Sequence, residues 1–224
     1  MYLLGDTDAG TTPRHRDDLR ERIFSVVPAL ESAGGKSLAI SVADVEDPAA
    51  EGIAQGNAHG LIDGQISLWL DHVDGRGEVE AIVRGLATRH AGYLVTESIL
   101  REYPDRGWKR GEASPGVTIL STFPKQDALD LETFYARWHG SHGPLSLLLH
   151  PLTRYVRNSV FRPLTENAPI LHGIVSESVG SCAVAADPEV FYSGRENRKK
   201  LLKDMHSFLD FETVSSVAMR EYLF

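Results

Sequence analysis

The stretch YLVTESILREY, residues 93–103, is echoed at the far end of the chain by ETVSSVAMREY, residues 212–222. Arg101-Glu102-Tyr103 recurs as Arg220-Glu221-Tyr222 at an offset of 119 residues, and Val95 and Val214 stand at the same offset. A second pair of stretches, LIDGQISLWL (61–70) and ILHGIVSESV (170–179), matches Gly64 to Gly173. Internal similarity of this period is weighed before any fold is assigned, because it means one structural unit written twice.

Outward from the repeated stretch, each half reads in the same order. YLLG at the start reads as a strand. Residues 15–33 read as a helix, with Leu19, Ile23, Val26, Val27 and Leu30 at three-to-four spacing. Pro28 inside that run predicts a kink or a stop, and Gly34-Gly35 punctuates it. SLAISVADV and GQISLWLDHV read as strands, residues 76–90 as a helix, and YLVTESILREY as a fourth strand. In the second half GVTILSTF is a strand, LETFYARWHGSHGPLSLLLHP a helical segment, RYVRNSVFRP and HGIVSESV strands, 187–209 helical, and ETVSSVAMREY the closing strand. The order is βαββαβ twice. PDRGWKRGEASPG, rich in Pro, Gly and charge, separates the copies.

A βαββαβ unit is the ferredoxin-like arrangement: two helices on one face of a four-stranded antiparallel sheet, with the other face bare. Two bare faces in one chain cover each other most economically by closing on one another. The expected fold is therefore α+β: two tandem ferredoxin-like units, 1–104 and 116–224 with 105–115 as linker, packing their sheets into an α+β barrel.

Composition narrows the function. The chain has 224 residues, 42% of them apolar, and a formal charge of −8. That balance argues against nucleic acid and against an anionic membrane surface, both of which are met by clustered Lys and Arg. The basic run Arg195–Lys203 also carries Glu196 and reads as a solvated helix face. The single cysteine, Cys182, excludes an internal disulfide, and its small-residue setting reads as a buried, inert thiol. The start MYLLGDTDAG has no cationic, apolar leader pattern, and no run approaches the roughly 18 apolar residues of a membrane helix, so a cytoplasmic protein is expected. NAHGLIDG (57–64) has two glycines but not the spacing of a dinucleotide loop.

Residues 134–145, FYARWHGSHGPL, bring two histidines to a glycine- and proline-marked point. On a helical wheel of about 100° per residue from Leu131, Phe134 falls at about 300°, Trp138 at about 340°, His142 at about 20°, Tyr135 at about 40° and His139 at about 80°. His142 thus sits within the apolar stripe and His139 at its edge. Gly140 and Gly143 weaken the last turn and Pro144 is expected to end or kink it. Two readings of His142 stand side by side at this point: a packed helix cap, or a desolvated imidazole that carries a proton near neutral pH.

With those residues in view, the second half resembles the EthD domain family of dimeric α+β barrels. The matching residues are Phe134, Trp138, His142-Gly143-Pro144-Leu145, Arg154-Tyr155-Val156-Arg157-Asn158, Gly173-Ile174, Glu177, Asp204 and Phe208, over about 116–224. The first half keeps Ile62-Asp63-Gly64 but has no His-Gly-Pro, and His172 replaces the aspartate in the second half. The resemblance implies small-molecule catabolism or polyketide-type decarboxylation, cyclisation or dehydration, in many cases without metal or redox cofactor. Only one of the two pseudo-equivalent sites carries the motif.

Other residues are weighed beside the histidines. Tyr155 and Arg157 share one face of a strand, and Arg157 reads either as a carboxylate or phenolate clamp or as a solvent-facing side chain. Asp63 and His172 begin matching strands and read as turn caps or as a pseudo-symmetric pair facing the cavity. Trp69 reads as core or as a wall for an aromatic substrate. A metal needs a third ligand beyond the His139–His142 pair, and no such pattern is present; haem needs only one axial histidine. The expectation is a cofactor-independent lyase or isomerase acting on a small hydrophobic or aromatic compound, held in a hollow that the two halves enclose between their sheets. His142 is its general acid/base, helped by His139, and Tyr135, Trp138, Tyr155, Arg157, Trp69, Asp63 and His172 are set out for substrate. No cofactor or metal is expected. A non-catalytic binder of the same ligand, and a haem- or oxygen-dependent oxidoreductase of the same barrel superfamily, remain the alternatives. The chain is expected as a monomeric pseudo-dimer or as a homodimer.

Overall fold

The structure is a computed structural model that describes residues 1–6, 13–53 and 61–224. Its first half runs β1 (Tyr2–Gly5), α1 (Pro13–Ser32), β2 (Lys36–Val42), β3 (Gly64–Trp69), α2 (Gly77–Arg84) and β4 (Arg89–Arg101). Its second half runs β5 (Val117–Phe123), then α3 (Leu131–Tyr135), a π-helical segment (Ala136–His142) and α4 (Gly143–Leu149). There follow β6 (Leu152–Pro163), β7 (Gly173–Val179), α5 (Cys182–Ala186), α6 (Pro188–Phe191), α7 (Arg195–Met205) and β8 (Ser215–Leu223). The strands close into one antiparallel barrel in the order β1-β3-β2-β8-β5-β7-β6-β4. The first half contributes the run β4-β1-β3-β2 and the second β8-β5-β7-β6. They are sewn together by β2 against β8 (Ile40 opposite Tyr222) and β4 against β6 (Glu97 opposite Asn158). The fold is an α+β barrel.

Alternation along the strands decides what faces where. In β5, Val117, Ile119 and Phe123 join the cluster beneath the helices of the second half, with Phe134, Trp138 and Phe208. Leu120 points the other way, into a cluster with Leu3, Tyr93, Val160, Ile174 and Met219 that fills the barrel. The first half has its own helix-side cluster, where Leu19, Ile23, Val27 and Leu30 of α1 and Val79 and Val83 of α2 cover Leu4, Ile40 and Ile66. The barrel interior thus holds side chains rather than a hollow, as an eight-stranded barrel allows.

The repeated Arg-Glu-Tyr triplets meet in this structure. Glu102 accepts from Arg154 Nε at 2.9 Å and Glu221 accepts from Arg154 Nη1 at 2.6 Å. Tyr103 Oη and Ser114 Oγ donate to the other Glu221 oxygen at 3.2 and 3.0 Å. Residues 105–115 are laced to β8, through Ser114 N to Glu221 O at 2.7 Å and Gly111 N to Leu223 O at 2.9 Å.

Three expectations are corrected. Pro28 neither stops nor ends α1, which runs on to Ser32; the helix forgoes one bond while Val27 and Leu30 on either side are buried. Pro144 does not end the helix either: the π segment widens the backbone before it, Gly143 N bonds Trp138 O five residues back, and Pro144 becomes a first-turn residue of α4, where its missing donor is harmless. The continuous helix read over 187–209 is divided at Ser193-Gly194, both at positive φ. The Gly60 part of the NAHGLIDG stretch lies outside the described residues, as do the side chains of residues 15–17 of the first helix.

Gly173 opens β7 beneath two aromatic rings. A Cβ there would lie inside contact distance of the Phe123 ring and 2.8 Å from Trp138 Cη2. Gly173→Ala is expected to cost about 1–3 kcal/mol by overpacking, read as a lowered thermal midpoint; an unchanged midpoint would mean the rings are not held against this strand.

Candidate functional site

Phe134, Trp138, His142, Ser146 and His150 recur every fourth residue, and all five are buried. At 3.6 residues per turn such a ladder drifts by about 40° per step and would leave the apolar face. The π segment, with its longer turns, holds the ladder on the side facing β5, β7 and β6. Asp130 caps the start of α3 by accepting from Thr133 N at 2.7 Å. The structural consequence is a line of side chains that changes from aromatic to polar as it descends: Phe134 and Trp138, then His142, Ser146 and His150.

His142 is engaged on both ring nitrogens. Nδ1 lies 3.0 Å from Asp204 Oδ2 on α7, and Nε2 lies 3.2 Å from Ser146 Oγ. A carboxylate can only accept, so Nδ1 carries the proton and Nε2 accepts from the serine hydroxyl. Asp204's second oxygen accepts from Ser141 Oγ. The bond to His142, with that from Ser141, outweighs partial burial and holds the Asp204 carboxyl below the usual carboxylate range. The result is a chain of polar contacts, Asp204–His142–Ser146, running through otherwise apolar surroundings. Burial, and then the charge of Glu177, push the Tyr155 phenol well above its ordinary value, so it stays protonated and able to donate across the neutral range.

His142 and Tyr155 border a cavity of about 360 Å³. Its wall includes Phe123, Trp138, Phe191 and Phe208, and its polar groups include Glu177, His150, Tyr192 and Ser121. Gly52 and Ile53 of the first half reach its rim, and exposed Arg198, stacked 5.8 Å from the Tyr192 ring, stands there too. This corrects one expectation: the hollow beside His142 lies between the outer face of the second half's strands and the helices that cover them, not between the two sheets. Side chains fill the space between the sheets. Among the described residues no other half-site of this kind is built in the first half.

The remaining residues singled out from sequence are dispersed. Trp138 forms part of the cavity wall and is fully buried, 5.1 Å from the Phe123 ring. His139, one residue on, is not part of that wall; it stacks against Trp138 and Tyr135 at 4.6 and 5.0 Å and meets Ser159 Oγ through Nε2 at 3.1 Å. Tyr135 belongs to that aromatic stack, and burial raises its phenol. Arg157 does not face solvent freely: its guanidinium lies 5.6 Å over Trp138, with Nε and Nη1 buried. An added Cβ on Gly143 would lie 3.0 Å from Arg157 Nη1, so glycine admits the guanidinium there. Asp63 accepts from Asp6 N at 2.9 Å, and His172 Nδ1 accepts from Lys125 N at 3.1 Å. Each therefore ties the start of one strand to the residues just after the first strand of its own half. Trp69 is about half exposed on β3, donates to Glu97 at 3.3 Å, and borders a separate cleft of about 200 Å³ in the first half. Burial raises the Cys182 thiol.

Ser146 and His150 are the site residues that helical-wheel reasoning passed over, while Asp204 and Glu177 entered only through the family resemblance, with no role given. Asp204 had a signal of its own: it lies beside the Leu201–Met205 face of α7, a largely apolar face. Ser146 and His150 carried the fourfold ladder, which a 3.6-residue wheel disperses.

Burial, then the neighbouring Arg157, push His139 from its ordinary value of 6.5 down to about 4. The folded protein therefore binds this proton less readily than the unfolded chain. The neutral ring's contribution is fully present above pH 6.5 and is lost as pH falls towards about 4. His139→Gln is expected to flatten the fall in thermal midpoint over that window; an unchanged slope would assign the fall to other groups.

No family model matches the sequence, and no curated protein matches it. Among solved structures, the crystal structure of an anthrone oxidase-like protein is similar, with a TM-score of 0.54, 13% identity, and coverage of 99% of this chain and 90% of that chain. At that identity the likeness shows the α+β barrel fold alone. No helix among the described residues is long and apolar enough to cross a membrane.

Proposed function

We propose that the chain is a histidine acid–base enzyme of the lyase or isomerase kind, acting on a small aromatic or otherwise hydrophobic compound held in the 360 Å³ cavity. The observation that carries this reading is the buried Asp204–His142–Ser146 chain at the wall of an otherwise apolar cavity. The carboxylate and the hydroxyl satisfy a buried ring and also hold it in one orientation at the wall of the cavity, where it can move a proton. Ser146 is fully buried and does not border the cavity, so it orients the imidazole and does not act as a nucleophile.

In this reading the His142 imidazole, which borders the cavity, takes a proton from an acidic C–H or O–H of the ligand. The electron pair moves onto a ligand oxygen, which becomes an enolate or phenolate, and Tyr155 donates to it. Asp204 stabilises the imidazolium that forms. Return of the proton to a different atom completes an isomerisation; loss of a neighbouring hydroxyl as water completes a dehydration. No cofactor enters these steps. The EthD-like motif and the two tandem ferredoxin-like units belong to the same proposal. Each half passes through its strands in the same sequential order, and Asp63 and His172 do matching work, which supports the duplication. A closed barrel leaves no strand edge to pair, so the proposed working unit is one chain.

The test is deuterium exchange. Hydroxylated aromatic ketones and other carbon acids are incubated with the protein in heavy water and followed by NMR. Catalysed exchange at an acidic carbon supports the reading. Binding without any exchange points to the non-catalytic ligand carrier. An oxidative second reading rests on the name of the similar structure, an anthrone oxidase-like protein; oxygen consumption coupled to turnover would favour it.

A further inference from the structure

The acid–base chain leaves one polar pair in the cavity unused. His150 ends the ladder at the close of α4, and its side chain is almost wholly buried. Among the described residues, neither of its ring nitrogens has a hydrogen-bond partner. Phe191 packs on the ring at 4.3 Å and Tyr192 meets it edge-on at 5.3 Å, so its orientation is fixed. Glu177 Oε1, on β7, stands 3.7 Å from His150 Nδ1, too far for a hydrogen bond. Both residues border the cavity that His142 borders. A buried imidazole with no partner is held at a cost that folding alone does not explain.

We propose that His150 and Glu177 form a hydroxyl-recognition pair, so that the ligand is a planar aromatic or enolic compound bearing a free hydroxyl group. This rests on the cavity being the ligand site. An oxygen placed about 2.8 Å from each partner, an ordinary hydrogen-bond length, spans their 3.7 Å separation as the apex of a triangle. A hydroxyl there donates to the Glu177 carboxylate and accepts from the imidazole N–H. No other common group does both so well. A carboxylate is repelled by Glu177, and a cation meets the like charge of Arg198, which also borders the cavity. An ether accepts but cannot donate. Burial works against the charge, but the His150 imidazole beside it outweighs burial and holds the Glu177 carboxyl below its usual range, which keeps the acceptor ionised. The apolar wall of Phe123, Trp138 and Phe208 takes the ring.

The probes are 2-naphthol, 2-methoxynaphthalene and 2-naphthylmethylammonium, titrated into the full chain by calorimetry. The wild-type protein is expected to bind the naphthol at least about tenfold more tightly than the ether, the size of a hydrogen bond to a charged group. His150→Phe and Glu177→Gln are expected to bring the two compounds level, while His142→Gln leaves the preference intact. Glu177→Gln keeps the side chain's size and carries the test by itself if His150→Phe does not fold. Equal binding of naphthol and ether by the wild-type protein, a preference that survives both substitutions, or tighter binding of the ammonium overturns the proposal while leaving the cavity as a ligand site. If none of the three compounds binds, the reading of the cavity itself fails, and this proposal with it.

Discussion

His142→Gln is expected to lower the exchange or turnover rate by about 10²–10⁴-fold, the range that positioned proton transfer contributes, with the fold intact. Among the described residues, this imidazole is the one whose two nitrogens link a carboxylate to a hydroxyl beside the cavity. Glutamine keeps polar atoms near both partners but cannot carry the proton. Asp204 retains a solvent-facing edge and its bond from Ser141, so removing the ring does not strand a fully buried charge. A loss of about 1 kcal/mol would move the midpoint of a domain this size by only about 2–4 °C. Rate and midpoint falling together by large amounts would instead identify His142 as structural. Asp204→Asn leaves the imidazole but removes the charge that favours the imidazolium, and it should slow the same reaction by a smaller factor.

Arg154→Met is expected to destabilise the fold by about 3–5 kcal/mol, the cost of removing one partner from a buried ion pair, and to leave the chemistry of the remaining folded fraction unchanged. Arg154 holds Glu102 from one copy of the repeated triplet and Glu221 from the other. Glu221 is almost completely buried, and Tyr103 and Ser114 alone cannot neutralise it. A chemical-denaturation curve reads the loss directly. Lys36→Met, which breaks the exposed pair with Asp71, is the contrasting case: water and salt already screen it, and no measurable change is expected. Equal effects from the two substitutions would mean the buried cluster does not hold the halves together.

The strands were legible because their alternation and their repetition said the same thing. The Arg-Glu-Tyr echo even marked residues that meet in three dimensions, although nothing in the sequence announced Arg154 as their meeting point. The barrel was legible as the cheapest cover for two bare sheet faces. The site was legible only in part. His142 was visible through its apolar stripe and its His-Gly-Pro setting. Ser146 and His150 were not, because a uniform wheel misplaces every residue after the π segment, and the backbone widening that realigns them has no plain signature beyond Gly140, Gly143 and Pro144. Asp63 and His172 were set out for substrate because two similar halves invite pseudo-symmetry, and Trp69 because it alternates on its strand. In the structure the first half keeps Trp69 and Asp63 for its own cleft and its own turn, and among the described residues only the second half buries an imidazole. The hollow was expected between the sheets, where apolar strand faces meet, yet Leu120, Ile174, Met219 and Tyr93 occupy that space. The room is on the helix side, where the short helices α5 and α6 stand over β5 and β7.

The most direct measurement is a crystal structure of the protein grown with 2-naphthol. It is predicted to place the ring against Phe208 and Trp138, with the hydroxyl between His150 and Glu177 and a ring edge in van der Waals contact, about 3.5–4.0 Å, with the His142 imidazole or with Tyr155. Density for the compound only outside this cavity, with the space beside His142 closed or refilled by side chains, would contradict the account.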